Sequence, residues 1–391
     1  MDTAATPTRK ELVCAFVIKL LNVSNTAGRK HRKISFIGLL LNDVGDDDSP
    51  CTISPHRQRV KAITDNQLKG DFCMNRRNFI GETLAGSALL SAPPLAQTQM
   101  RDNAQQADIV IERDQPNQPH KGKVLAAIQP HCDDLPLFAG GTILKLLREG
   151  YTGILIRTSN DEMAGRGAGV GEVILNNERD NFEVARRLGL HKTFDLHYRN
   201  HEFDAVATAE LRHRLIFIFR LMKVDTVFCY DPWGHYEENP DHYVTARCVE
   251  AACWMAGGAW DLPEHFEAGL QPHAVQEKYY FARGPQLVNR VVDISSVFDQ
   301  KVEVNVANVT QGPAGENGAA LRRRLAAQKL RLPILGNDDA TANRQYIKHI
   351  VLREDAELGQ RYGLNYAEPF HYIGPKPSLL DEYIKQNAVP L

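Results

Sequence analysis

KVLAAIQPHCDDLPLFAGGTILKLLREG, residues 123–150, is the stretch on which the reading of the fold turns. KVLAAIQ is a short, continuous apolar run, the pattern of a strand buried on both faces. FAGGTILKLLREG has helical spacing, with Ile143, Leu144, Leu146 and Leu147 apolar. Between them PHCDD, residues 130–134, sets a histidine and two adjacent carboxylates where an apolar strand ends.

The same alternation continues outward. GILIRTS (153–159) predicts a second strand and VILNNERDNFEVARRLGL (173–190) an amphipathic helix stopped at Gly189. TFDLHY is a weaker third strand. ATAELRHRLIFIFRLMK (207–223) predicts a helix, VDTVFCY (224–230) a strand rich in β-branched and aromatic residues, and PDHYVTARCVEAACWMA (240–256) a helix with proline in its first turn. KYYFAR and VNRVVDIS read as later strands, with an edge hairpin around Gly284–Pro285; a helical VFDQKVEVNVANVTQ and a loop, GPAGENGAA, follow. Repeated strand–helix alternation predicts an α/β fold with three α/β/α layers and a mainly parallel sheet. One domain over 123–375 with a C-terminal tail, 376–391, accounts for it.

The composition excludes several classes. The chain has 391 residues, 43% hydrophobic and 24% charged, as in soluble globular proteins. A net charge of -2 gives no electrostatic reason to expect nucleic acid as a partner. The seven cysteines form no CxxC pair, which argues against a disulfide scaffold or a zinc ribbon; Cys248 and Cys253, five apart on one predicted helix, read as packing residues. Residues 1–73 carry no assignable chemistry. From Met74, MNRRNFIGETLAGSALLSAPPLAQ has paired Arg76 and Arg77, then Phe79, a weakly apolar run and a small residue, Ala96. That is the layout of a twin-arginine-type signal over 74–96. If it is a signal, it implies a mature protein from near Gln97, periplasmic or extracellular, with 97–122 as a polar lead-in; if the segment is an ordinary helix, the expectation is a cytoplasmic protein. The apolar run is too short for a membrane span.

Ligands of open α/β sheets bind beyond the carboxyl ends of the strands. His131, Asp133 and Asp134 lie there after the first strand, and Asn160, Asp161 and Glu162 after the second. DPWGHYEENPDH (231–242) lies there after the fourth, with Asp231, His235, Glu237, Glu238, Asp241 and His242. Two imidazoles and one carboxylate make a catalytic zinc site with an open position. His131 and Asp134, three apart on a turn that opens a helix, can face one ion, and His242 from the other loop can close the set. Asp133, left unligated beside it, is placed to act as general base towards a water whose pKa the metal lowers to about 7. Taken singly, Asp133 and Asp134 could instead cap the helix and His131 could be a hydrogen-bonded rim residue. The coincidence with NPDH on a second strand-end loop favours the metal. Asn160 and Glu162 lie at the rim and could bind substrate hydroxyls or orient a ligand, and Trp233 and Tyr236 could stack on a substrate ring or fill the loop's own small core. His197 and His201 border the region without being expected as ligands.

These residues resemble the PIG-L (LmbE-like) deacetylase family, typically zinc-dependent enzymes on a Rossmann-like fold that remove acetyl from N-acetylated sugars. Pro130–Asp134 matches the family's PHxDD turn and Asn239–His242 its HPDH turn. SNDEMAGRG matches its threonine–glycine–glutamate loop, with Glu162 at the glutamate. ERDNFEVARRLGL matches a family helix and YAEPFHYIG (366–374) its terminal aromatic motif. The resemblance implies His131, Asp134 and His242 as zinc ligands, another divalent metal being an alternative, and Asp133 as the water-activating base. Asp241 is counted with the catalytic turn and Arg179 as a substrate contact. The departure is Asn239, where the family usually has a histidine that polarises the amide carbonyl. An asparagine can donate a hydrogen bond to an oxyanion but carries no charge, and His235 is the other candidate for that role. The expected substrate is an N-acetylated amino sugar or glycoconjugate. Alternatives are a zinc amidase on a non-sugar amide and a non-catalytic carbohydrate-binding member of the fold. A dinucleotide-binding protein is disfavoured, since PHCDD stands where GxGxxG would be required.

Overall fold

In open sheets the binding crevice opens where successive strands leave a common strand in opposite directions, and here that point is the strand Val124–Gln129. The computed structural model of the chain describes residues 109–375 and 378–390, so the expected signal at 74–96 and the segment 1–73 lie outside the described residues. The strands are β1 Val110–Glu112, β2 Val124–Gln129, β3 Thr152–Ser159, β4 Lys192–Tyr198, β5 Thr226–Tyr230, β6 Glu277–Phe281, β7 Arg290–Asp293 and β8 Ala367–Ile373. They form one eight-stranded sheet in the order β1-β7-β8-β6-β5-β2-β3-β4. The chain runs from β2 through β3 to β4 on one side, then returns to place β5 on the other side of β2.

The helices are α1 Asp134–Phe138, α2 Gly140–Arg148, α3 Val170–Leu188, α4 Thr208–Met222, α5 Pro240–Ala256, α6 Pro263–Glu267 and α7 Phe298–Val306, with further short helices up to residue 387. Sequence chemistry sets their ends. Gly189 takes the left-handed conformation (φ 86°) that stops α3. Asn239 caps α5, its side chain accepting from Asp241 N, and Pro240 occupies the first turn, where a missing N–H costs nothing. β2, β3 and β5 are buried almost throughout, as their unbroken apolar runs require. Leu125, Ile128, Ile154, Ile156, Val227 and Phe228 form the centre of the core.

All pairs are parallel except those of β8, which runs antiparallel between β6 and β7. This corrects the expected hairpin at Gly284–Pro285. β6 and β7 point the same way and never pair, so a tight turn cannot join them. The terminal motif at 366–374 is that inserted strand. Val110–Glu112, inside the stretch read as a polar lead-in, is an edge strand, held by Glu112, which accepts from Lys145 (3.1 Å), Tyr279 (2.9 Å) and Arg290 (2.8 Å). Helix α7 stops at Val306, leaving 307–311 as loop. No helix among the described residues is long and apolar enough to cross a membrane.

Candidate metal centre

At the β2/β5 crevice, His131, Asp134 and His242 each offer a ligand atom, and these atoms lie within 4.8 Å of one another. His131 Nδ1 is 3.0 Å from His242 Nε2 and 3.4 Å from Asp134 Oδ2, and His242 Nε2 is 3.6 Å from Asp134 Oδ1. All three side chains are buried. The turn after β2 folds back on itself, because His131 N donates to Asp134 Oδ2 (2.8 Å). Tyr230, the last residue of β5, joins the two halves: its hydroxyl donates to Asp134 Oδ1 (2.6 Å) and its ring stacks on His242 at 4.0 Å.

The other nitrogen of each histidine faces a carboxylate. His131 Nε2 meets Asp241 Oδ2 at 3.0 Å, and His242 Nδ1 lies 3.1 Å from Glu237 Oε1. Asp241 holds the proton on His131 Nε2 and turns the opposite lone pair inward, while Glu237 places a negative charge beside His242 Nδ1. Two inward lone pairs 3.0 Å apart beside a carboxylate repel unless a cation or a proton lies between them, so the donor set fits a divalent metal of zinc type. The charges follow the same pattern. Burial alone would lower the His131 pKa, but Asp134 and Asp241 outweigh it and raise it well above the ordinary value. Burial alone would raise Asp134, yet His242, His131 and the Tyr230 hydroxyl hold it down to about 2.

Asp133 stands beside this group. It occupies the cap position of α1 without making a side-chain capping bond, so its carboxylate is not spent on the helix. Burial, and then the charge of Asp134, push it up to about 7. Gly312 lies against it: a Cβ there would sit 2.4 Å from Asp133 Oδ2, and φ at that residue is 78°. Only glycine takes both the contact and the conformation without strain.

The remaining expected residues divide. Asn239 borders the centre. Its Oδ1 accepts from Asp241 N (2.9 Å), which fixes the amide and leaves Nδ2 3.5 Å from His242 Nε2. Asp241 has its Oδ2 taken up by His131, by Asn200 Nδ2 (2.8 Å) and by His201 N (2.8 Å), contacts suited to positioning the His131 ring. His235 is exposed, with its backbone N–H on Pro285 O (3.0 Å) and no hydrogen bond or ion pair to the three ligands. Asn160 and Glu162 bond each other (3.0 Å), and Arg199 takes the second Glu162 oxygen (2.7 Å). Arg179 is exposed on α3, next to buried Asp180 and Asn177. Trp233 packs near Tyr280 and His371, while Tyr236 is 89% exposed.

Several functional contacts come from residues to which sequence reasoning gave no role. Asp161, fully buried at φ 57°, accepts from Cys132 N (3.3 Å) and from Arg157 Nη1 (3.0 Å), so a buried ion pair braces the PHCDD turn from below. Non-glycine residues seldom take that φ, and the DE pair at 161–162 was the available signal. Glu237 was placed at the rim by its loop but without a role, and Asn200 had no signal beyond being polar. The loop after α7 could not be placed from sequence, since Gly312 meets a residue 179 positions earlier. It carries Gln311, whose Nε2 reaches Cys132 Sγ (3.2 Å) and Asn177 Oδ1 (3.1 Å).

Comparison with known proteins agrees with this geometry. Residues 126–253 match the family model PIG-L: GlcNAc-PI de-N-acetylase. A diacetylchitobiose deacetylase of Thermococcus kodakarensis is 29% identical over 194 residues, which is 49% of this chain and 71% of that protein. The solved N,N'-diacetylchitobiose deacetylase of Pyrococcus horikoshii, in complex with an inhibitor, superposes with a TM-score of 0.52 at 22% identity, over 64% of this chain and 84% of that one, and so shares the fold. The matched span begins in β2 and ends in α5, and thus contains every residue of the centre from His131 to His242. The chain carries a PIG-L family domain at residues 126–253.

Proposed function

We propose that this protein is a zinc-dependent N-deacetylase that hydrolyses the acetamide of an N-acetylated amino sugar or glycoconjugate, giving acetate and a free amine. The carrying observation is the convergence of His131, Asp134 and His242 on one point, with Asp133 left uncommitted beside it. The sugar as substrate rests on the similarity to diacetylchitobiose deacetylase. A divalent ion held by the three ligands would supply Lewis-acid activation of water and of the amide carbonyl.

The chain's own groups do the rest. Asp133 takes the proton of the attacking water and later gives it back. Water oxygen bonds to the carbonyl carbon, the C–N bond breaks, and the proton on Asp133 passes to the leaving nitrogen. Asn239, its amide pinned through Oδ1, presents Nδ2 as the oxyanion donor. Asp241 and Glu237 hold the two imidazoles in the ligating tautomers. Export, read from the segment at 74–96, would set this chemistry outside the cytoplasm.

The test is acetate release from N,N'-diacetylchitobiose by the purified protein. Activity abolished by a chelator and restored by zinc supports the proposal, and activity indifferent to the chelator refutes it.

A further inference from the structure

Asp133 makes no side-chain capping bond, and among the described residues no other residue donates a hydrogen bond to its carboxylate. A carboxylate without donors depends on packing for its position. The wall it rests on is Gly312, where a Cβ would come within 2.4 Å of Oδ2. Whatever fixes the loop at 310–312 therefore also fixes Asp133.

Two anchors hold that loop. Thr310 N donates to Asp180 Oδ2 on α3 (2.7 Å). The second anchor is the Gln311 side chain. Its Nε2 carries two hydrogens and meets two acceptors, Cys132 Sγ at 3.2 Å and Asn177 Oδ1 at 3.1 Å. The thiol donates in turn to Asn177 Oδ1 (3.5 Å), which closes a triangle of polar atoms. Asn177 cannot turn away, because its Nδ2 is spent on the carbonyls of Asp161 (3.2 Å), Ala164 (2.8 Å) and Val173 (3.1 Å). Cys132 and Asn177 are fully buried and Gln311 is half-buried, so the amide reaches inward to two fixed partners. Cys132 stands between His131 and Asp133 in the chain. The triangle thus ties the loop that walls the base to the turn that carries it. Among the described residues the Gln311 side chain makes no hydrogen bond to His131, Asp134 or His242.

We propose that Gln311 is a positioning residue for the reaction: its amide locks the 310–312 loop onto the PHCDD turn, so that Gly312 fixes where the Asp133 carboxylate stands. The proposal rests on the deacetylase reading above, in which Asp133 is the base. Gln311→Met tests it, because methionine keeps the length of the side chain and removes the donor. With N,N'-diacetylchitobiose as substrate, kcat should fall about tenfold or more, towards the ~100-fold that a misplaced group can cost. KM and zinc affinity should not change, since no ligand loses a contact. In an Asp133→Asn background the same substitution should cost nothing more, because no base remains to be placed. Cys132 is the reporter of the loop itself: alkylation by iodoacetamide, followed by peptide mass spectrometry, should run several-fold faster in Gln311→Met than in the native protein. Should the methionine variant fold poorly, Gln311→Glu, which sets a second acceptor against Asn177 Oδ1, should give the same changes. Full turnover, lost zinc, an equal further loss in the Asp133→Asn background, or a thiol still protected where kcat has fallen overturns the proposal. A native protein that releases no acetate refutes the deacetylase reading by itself. Faster alkylation of the variant then still supports the lock, and unchanged alkylation refutes it.

Discussion

Asp241 offers a sharp test of how the metal centre is held, because asparagine and alanine should fail there for different reasons. Its Oδ2 collects three donors, His131 Nε2 at 3.0 Å, Asn200 Nδ2 at 2.8 Å and His201 N at 2.8 Å, while Oδ1 is buried and unpaired. Asparagine keeps an oxygen where the donors converge, since turning its NH2 towards them would face donors with donors. The His131 proton stays on Nε2 and Nδ1 stays free to ligate. What is lost is the negative charge behind the imidazole. Outer carboxylate partners are worth about 10–100-fold in metal affinity, and loss of charge alone should fall at the lower end, about tenfold or ~1.4 kcal/mol. Alanine removes the acceptor as well, strands three donors and frees the ring to turn, so the loss should reach about 100-fold or more, ~2.7 kcal/mol. Zinc affinity by chelator competition, with acetate release at saturating zinc, reads both. Equal losses for Asp241→Asn and Asp241→Ala, or no loss for either, would refute the claim that geometry and charge make separable contributions.

Further outcomes follow from the same contacts. Asp133→Asn should retain zinc and lose at least about 100-fold in kcat, the usual worth of a positioned base; full turnover would end that assignment. Gly312→Ala should bind zinc normally yet lose activity at least about tenfold, because its Cβ would displace the Asp133 carboxylate; unchanged kcat would show the loop free to move aside. Glu237 gives a pH signature. Burial alone would raise its pKa, but His242 and Arg283 hold it down to about 2, below the ordinary ~4.3. Its stabilising contribution is thus present above about pH 4.3 and lost as the pH falls through about 2. Acid melts of Glu237→Gln should show a shallower loss across that window than the native protein, and coincident curves would contradict it. Lys301→Met should cost about 3–5 kcal/mol, or roughly 10 °C in melting temperature, by leaving Asp355 and Glu368 buried without the cation now 2.6 and 2.7 Å away.

Much of the centre was legible because its ligands are short-range signals. PHCDD carries two candidate ligands and the candidate base within four positions, and a buried strand before it fixes which rim they occupy. The α/β alternation likewise located β2 to β5 within a residue or two, since burial on both faces leaves unbroken apolar runs. What stayed hidden depends on distant partners. Asp241 reads as a member of a catalytic turn until His131, Asn200 and His201 are seen around it. The hairpin expected at Gly284–Pro285 failed because nothing local announces that β8, some 75 residues later, will separate the two strands.

That late strand bears on how the molecule matures. Glu368 of β8 accepts from Gly141 N and Thr142 N, both at 2.8 Å, and from Thr142 Oγ1 at 2.6 Å, closing the first turn of the helix that follows the ligand-bearing segment. On the proposed reading, a nascent polypeptide emerging from the ribosome would carry His131, Asp134 and His242 long before this clasp is synthesised, so the candidate ligands are complete in the chain before the helix beside them is fastened.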